Sequence, residues 1–266
     1  MINTYFGFTK NPFSKNINIK DIFKWNDFDN LTNRLDYFLK EKGIFLLTGL
    51  IGSGKTTTIR LFAQSINPNT HRIIYINECL DSKRDFYRTI LEKMDVKPPY
   101  CAGDSRNQLR KYLLDMFYVK KVSPIIIFDE AQNLNAYILE EIRLLGNFDY
   151  DSVSPLSIIL SGHNLLKQRL SLNENEALCQ RITLRFHLIG MSLSESCNYI
   201  KYRLENAGST HAIFADSVLN KIYEVTGGVI RKVNAVCMNL LISAMTKNQK
   251  IVDDNIFDST RGEWEL

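Results

Sequence analysis

Cysteine is sparse and unpatterned in this sequence. The five cysteines, Cys79, Cys101, Cys179, Cys197 and Cys237, are odd in number, scattered and without a C-x-x-C spacing. This excludes a disulfide framework or a cysteine-based zinc site and fits a reducing, cytoplasmic environment. Long apolar runs are missing as well. Stretches such as Ile44–Leu47 and Ile125–Phe128 fall far short of the ~20 residues that cross a bilayer, so no membrane role is expected. The opening residues, Met1-Ile-Asn-Thr-Tyr-Phe-Gly-Phe, hold no basic segment followed by an apolar stretch and a small-residue cleavage site, and no secretion signal is read there. Charge of one sign is scarce: 33 basic against 29 acidic side chains leave a formal +4, which permits contact with nucleic acid without demanding it. Internal repeats and low-complexity tracts are absent too. What the 266 residues do have is 45% hydrophobic content, enough for one substantial core and a smaller second one.

The apolar pattern divides the chain. Tyr5 to Ser14 carries aromatics, Gly7 and an Asn11-Pro12 step, and reads as an irregular, non-helical lead-in that packs by its rings. Leu31, Leu35, Phe38 and Leu39 recur at helical spacing over residues 30–40. Strands are predicted at Ile44–Thr48, Ile73–Asn77, Ile125–Asp129 and Leu156–Ser161, with helices at 56–65, 82–94 and 106–119 between them. Short continuous apolar runs separated by helical stretches predict an open α/β parallel sheet covered on both faces. Beyond about Ile189 helical patterns follow one another at 193–206, 216–226 and 231–246, predicting a small all-helical second domain over 190–266 after an α/β domain over 1–189.

Gly49-Leu-Ile-Gly52-Ser53-Gly54-Lys55-Thr56 matches G-x-x-x-x-G-K-[ST] in full, between a predicted strand and a predicted helix. The glycines let backbone N–H groups curl around phosphates, Lys55 reaches the terminal phosphates and the Thr56 hydroxyl ligates magnesium. The run Ile125-Ile-Ile-Phe-Asp129-Glu130 delivers two carboxylates at the C-terminal end of a strand, where open α/β sheets bind ligands. Asp129 is expected to orient hydrated magnesium and Glu130 to act as general base toward the attacking water. Ser161 and His163, at the end of the fourth strand, are candidates for sensing the γ-phosphate. His71, His187 and His211 have no metal-like spacing and read as structural or surface residues.

Through these motifs and two arginine-bearing stretches the chain resembles the ExeA/TniB/TnsC-like branch of the AAA+ ATPases over nearly its whole length. The likeness is carried by Tyr5-Phe-Gly-Phe-Thr-Lys-Asn-Pro-Phe-Ser14, by the P-loop with Thr57 and Thr58, by Asp129-Glu-Ala-Gln132, by Gln180-Arg181-Ile-Thr-Leu-Arg185 and by Thr226-Gly-Gly-Val-Ile-Arg231. The resemblance implies a P-loop AAA+ sheet domain with a helical lid, ATP and Mg2+ as ligands, and a homo-oligomer, ring or helical filament. In it Arg181 looks like the finger that reaches a neighbour's γ-phosphate, and Arg231 like the lid arginine that contacts nucleotide within its own subunit. Ile230 stands where many relatives have proline, which leaves the helix start less rigid but keeps the arginine. Stand-alone members of this length resemble ATPase partners of transposases, which assemble on duplex DNA without reading sequence and recruit transposase. Longer secretion-pathway relatives of the ExeA type, and a nucleotide switch with little turnover, are the alternatives. The basic segment between the second and third strands, with Lys83, Arg84 and Arg106, is the candidate surface for DNA phosphates.

Overall fold

Two periodicities compete along this chain, and the computed structural model, which describes residues 1–15, 17–148 and 154–263, shows where each prevails. The order of elements is α1 (Ile2–Phe6), α2 (Asn26–Glu41), β1 (Gly43–Gly49), α3 (Lys55–Ser65), β2 (His71–Ile76), α4 (Lys83–Lys93), α5 (Ala102–Tyr118), β3 (Ser123–Phe128), α6 (Ala136–Leu145), β4 (Ser157–Gly162), α7 (Asn164–Leu170), α8 (Glu176–Gln180), β5 (Ile182–Leu188), α9 (Leu193–Asn206), α10 (Asp216–Thr226), α11 (Ile230–Thr246) and α12 (Asp254–Thr260). The chain clusters into two units, one of residues 30–50 and 55–188, the other of residues 1–29, 51–54 and 189–266.

The first unit is built on a five-stranded sheet in the order β2-β3-β4-β1-β5, with every neighbouring pair parallel. Successive residues of a strand face opposite sides, and β3 uses both. Ile125 and Ile127 pack with Leu31, Leu35, Phe38, Ile59 and Phe62 from α2 and α3. Ile126 and Phe128 pack with Phe86, Ile90, Leu113, Ile138 and Ile142 from α4, α5 and α6. Burial on both faces is why these strands read as unbroken apolar runs. The parallel register sets Thr48 beside Gly162 and Phe128 beside Leu160, so the C-terminal ends of β1, β3 and β4 open at one edge of the sheet.

The predicted strands and helices recur in place, and β5 is an addition. Its side chains alternate, with Ile182 and Leu188 buried and Thr183, Arg185 and His187 exposed. That period-two pattern is the signature of a half-covered edge strand, and it differs from the continuous buried runs of the three inner strands, β3, β4 and β1. Helix α1 also departs from the reading of the lead-in as non-helical at its start. It is one short turn, closed by Gly7 in the left-handed region at φ 76°.

In the second unit the lead-in is tied to α9. Arg203 donates to the carbonyls of Pro12 (2.6 Å) and Ser14 (3.0 Å), and the Thr9 N–H donates to the Ala207 carbonyl at 2.8 Å. Phe8 and Phe13 are buried, which accounts for the aromatic character of that stretch. Helix α9 begins with a capping box between Ser192 and Glu195. Gly228, at φ 70°, faces the Met191 carbonyl so closely that a Cβ would lie 1.9 Å from its oxygen, so only glycine fits there. No helix among the described residues is long and apolar enough to cross a membrane.

Candidate active site

At the open edge of the sheet a hydroxyl cluster surrounds one carboxylate. Asp129, the residue after β3, is buried and accepts hydrogen bonds from Thr56 Oγ1 (2.9 Å) and Tyr75 Oη (2.7 Å) on Oδ2, and from Ser161 Oγ (2.8 Å) on Oδ1. Thr56 comes from the first turn of α3, Tyr75 from β2 and Ser161 from β4, so three elements converge on the end of a fourth. Burial first, then the bond to Asp129, then the charges of Asp129 and Glu130 push the Tyr75 phenol well above its ordinary value, and it stays a donor. Lys55 is buried and its Nζ donates to the carbonyls of Gly49 (3.0 Å) and Leu50 (2.9 Å). Thr57 follows half-buried on α3.

Glu130 sits beside this cluster on a left-handed backbone, φ 52°, with its carboxylate exposed to solvent. A non-glycine residue there is uncommon and marks a constrained turn. Its Oε2 accepts from Gln132 Nε2 at 2.6 Å, and Gln132 Oε1 accepts the backbone N–H of His163 at 3.2 Å. The imidazole of His163 caps α7 through Nδ1, which accepts the Leu165 N–H at 3.3 Å. Of the two sensing candidates, Ser161 therefore touches the carboxylate cluster with its side chain, whereas the ring of His163 is occupied with its own helix.

Within the second unit, loop residues Gly52 and Gly54 adopt φ values of 83° and 104°. The Gly52 carbonyl accepts the Arg231 N–H at 3.1 Å at the start of α11, and a Cβ on Gly52 would lie 2.5 Å from that of Arg231. Ser53 is fully buried with an unpartnered hydroxyl, and the buried Trp25 indole N–H is likewise unpartnered. Left-handed glycines and orphaned donors fit a loop shaped for phosphate. Among the described residues no group of three or more His, Cys, Asp or Glu could hold a metal. Thr56 and Asp129, both hard oxygen donors, fit magnesium, which takes few protein ligands and fills its shell with phosphate and water.

The remaining candidates lie elsewhere. Arg181, between α8 and β5, is half-buried, and one N–H of its guanidinium donates to the Arg143 carbonyl at 3.1 Å. Lys83, first residue of α4, forms a 2.6 Å ion pair with the buried Glu141, Arg84 lies 4.3 Å over the Tyr100 ring, and Arg106 stands on α5. Sequence reasoning missed Tyr75 and gave Gln132 no role. Tyr75 was hidden inside an apolar strand run, and only the parallel register of β2 with β3 brings it to Asp129.

Residues 38–170, half of the chain, match the family model described as AAA domain. The chain belongs to this AAA domain family. General secretion pathway protein A of Aeromonas hydrophila is similar to this AAA protein, at 32% identity over 260 residues, covering 96% of this chain and 47% of that protein. The AAA chain thus spans about half the length of that curated relative. Among solved structures, Cdc6p from Pyrobaculum aerophilum superposes with a TM-score of 0.73 at 16% identity, covering 96% of this chain and 71% of that one. Drosophila ORC bound to DNA gives 0.68 at 16% identity, covering 98% and 64%. Those likenesses show the fold: a P-loop AAA+ α/β sheet followed by C-terminal helices.

Proposed function

We propose that this AAA protein hydrolyses ATP, with Lys55 on the terminal phosphates, Thr56 and Asp129 holding magnesium, and Glu130 as general base toward water. The observation that carries this reading is the 2.9 Å bond between Thr56 and Asp129, which joins the two halves of a nucleotide site at one edge of the sheet. Magnesium, when bound, supplies charge neutralisation to the phosphates. The chain's own part is to place Glu130 one residue beyond Asp129, where a carboxylate can take a proton from water, and to set Ser161 on Asp129 from the adjacent strand β4. Arg231 stands against the phosphate loop through Gly52, and Arg181 serves a neighbouring copy, adding positive charge that a single chain does not bring to its own γ-phosphate. Residues 190–266 act as the lid. Purified protein should bind Mg-ATP in calorimetry and turn it over, Glu130→Gln should bind ATP and not turn it over, and Arg181→Ala should bind yet lose assembly-dependent hydrolysis. Full activity in Glu130→Gln would falsify the base assignment.

The working form we propose is a cytoplasmic homo-oligomer on duplex DNA that regulates transposition and recruits a transposase. The lead-in and the Asp-Glu-Ala-Gln segment support it, as does the fold likeness to proteins whose structures include DNA. Phosphate contacts by Lys83, Arg84 and Arg106 would make assembly independent of sequence and steeply sensitive to salt. A second reading, assembly of a secretion pathway, is favoured by the 32% identity to General secretion pathway protein A. Sedimentation with duplex DNA and a slowly hydrolysed ATP analogue separates them: DNA-dependent assembly that dissolves with salt supports transposition, and indifference to DNA supports secretion.

A further inference from the structure

Glu130 has a neighbour that the nucleotide chemistry does not by itself require. Its carboxylate projects from a left-handed residue into solvent, and a glutamate so placed has three side-chain torsions with which to wander. One contact restrains it. Gln132, in the 3-10 turn Ala131–Asn133 and only 9% exposed, donates from Nε2 to Glu130 Oε2 at 2.6 Å. The amide cannot turn round, because its Oε1 accepts the His163 N–H at 3.2 Å and an amide flipped there would oppose donor to donor. The Gln132 backbone is held too, since Arg169 of α7 donates to its carbonyl. Gly162 completes the arrangement. A Cβ at that position would come within 2.6 Å of Gln132 Oε1 and 2.8 Å of Leu166 Cδ2, so the missing side chain leaves the space in which the amide lies.

We propose that Gln132 is a positioning residue that aims the Glu130 carboxylate and couples it to the turn between β4 and α7. Ser161 of that strand bonds Asp129, and His163 of that turn bonds Gln132. A displacement of the β4 end therefore reaches both carboxylates, one through a hydroxyl and one through an amide. This inference rests on the ATPase reading above and deepens it, because it names how the base is held in line.

The test compares wild type, Gln132→Leu, Gly162→Ala, Glu130→Asp, Glu130→Gln and the double variant Glu130→Asp/Gln132→Leu, each measured for ATP affinity and kcat with and without duplex DNA. Leucine keeps volume and removes both amide bonds, while Gly162→Ala displaces the amide and leaves Gln132 in the sequence. Misplacing a catalytic group by about 1 Å costs up to ~100-fold, so both should lower kcat about 10-fold or more with ATP affinity within about twofold. Aspartate is too short to reach Gln132, so in the Glu130→Asp background the Gln132→Leu loss should shrink below about twofold, the non-additivity expected of two residues acting as one. A wild-type kcat in Gln132→Leu, or the same fractional loss in both backgrounds, overturns the proposal while the inactivity of Glu130→Gln leaves the ATPase reading standing. Wild-type protein that is no faster than Glu130→Gln removes that reading and this inference with it.

Discussion

Two carboxylates of the sheet unit, Asp129 and Glu141, are both buried and both accept a hydrogen bond from a tyrosine, yet their other partners differ in kind. Asp129 receives hydroxyls, from Thr56 and Ser161. Glu141, on α6, receives the ammonium of Lys83 at 2.6 Å. Hydroxyl donors satisfy a carboxylate's lone pairs without cancelling its charge, so Asp129 keeps its negative charge available to a cation. The charge of Glu141 is met within the fold, and a buried acid answered in that way belongs to the architecture. Burial alone thus does not mark a functional acid; the chemistry of what surrounds it does.

The sharpest way to break this comparison is to remove groups at the first cluster. Lys55→Ala should abolish nucleotide binding, and Glu130→Gln should lower turnover by ~100-fold or more while ATP stays bound; filter binding and phosphate release report the two effects. A smaller loss is expected from Tyr75→Phe and Ser161→Ala. Each deletes one hydroxyl donor to Asp129, about 1 kcal/mol or roughly fivefold, and should appear in magnesium-dependent ATP affinity with little change in melting temperature.

Glu141 should respond in the opposite way. Lys83→Met removes its cation and should cost about 1 kcal/mol of stability, the scale of a pair with one exposed member, with ATP affinity unchanged. A fall in DNA affinity in the same variant would show that Lys83 also contacts phosphate. The least effect is one of pH. Burial pushes the Glu141 carboxyl up, but the bonds from Lys83 and Tyr87 and the charges of Lys83 and Arg106 outweigh it and leave the group below its ordinary 4.5. A folded value below the unfolded one contributes stability above pH 4.5 that is lost as pH falls through the folded value. Glu141→Gln should therefore melt lower than wild type near neutrality, with the gap narrowing in acid; a gap that widens there would contradict the assignment.

Much of the candidate site was legible in the residues themselves. Gly49, Lys55 and Thr56 lie within one short segment, and Asp129 and Glu130 end an apolar run, so local spacing carries their meaning. Tyr75 and Gln132 were opaque for a different reason. A tyrosine in a strand reads as core, and a glutamine after two acids reads as helix surface, until strand register and a neighbouring turn supply their partners. Strand β5 was overlooked because its alternation resembles the polar lead-in to a helix.

The sequence by itself determined that a glycine-rich loop follows one buried strand, that a carboxylate pair ends another, and that the last part of the chain is helical. These are consequences of periodicity and glycine geometry, which act over a few residues. The tertiary structure alone decided that Asp129 is ringed by hydroxyls and Glu141 is answered by a lysine, and that Gln132 reaches Glu130. Those pairings join residues from separate strands and helices or hang on the exact course of one turn. Only the parallel register of the sheet and the packing of helices on its faces bring them within hydrogen-bonding distance.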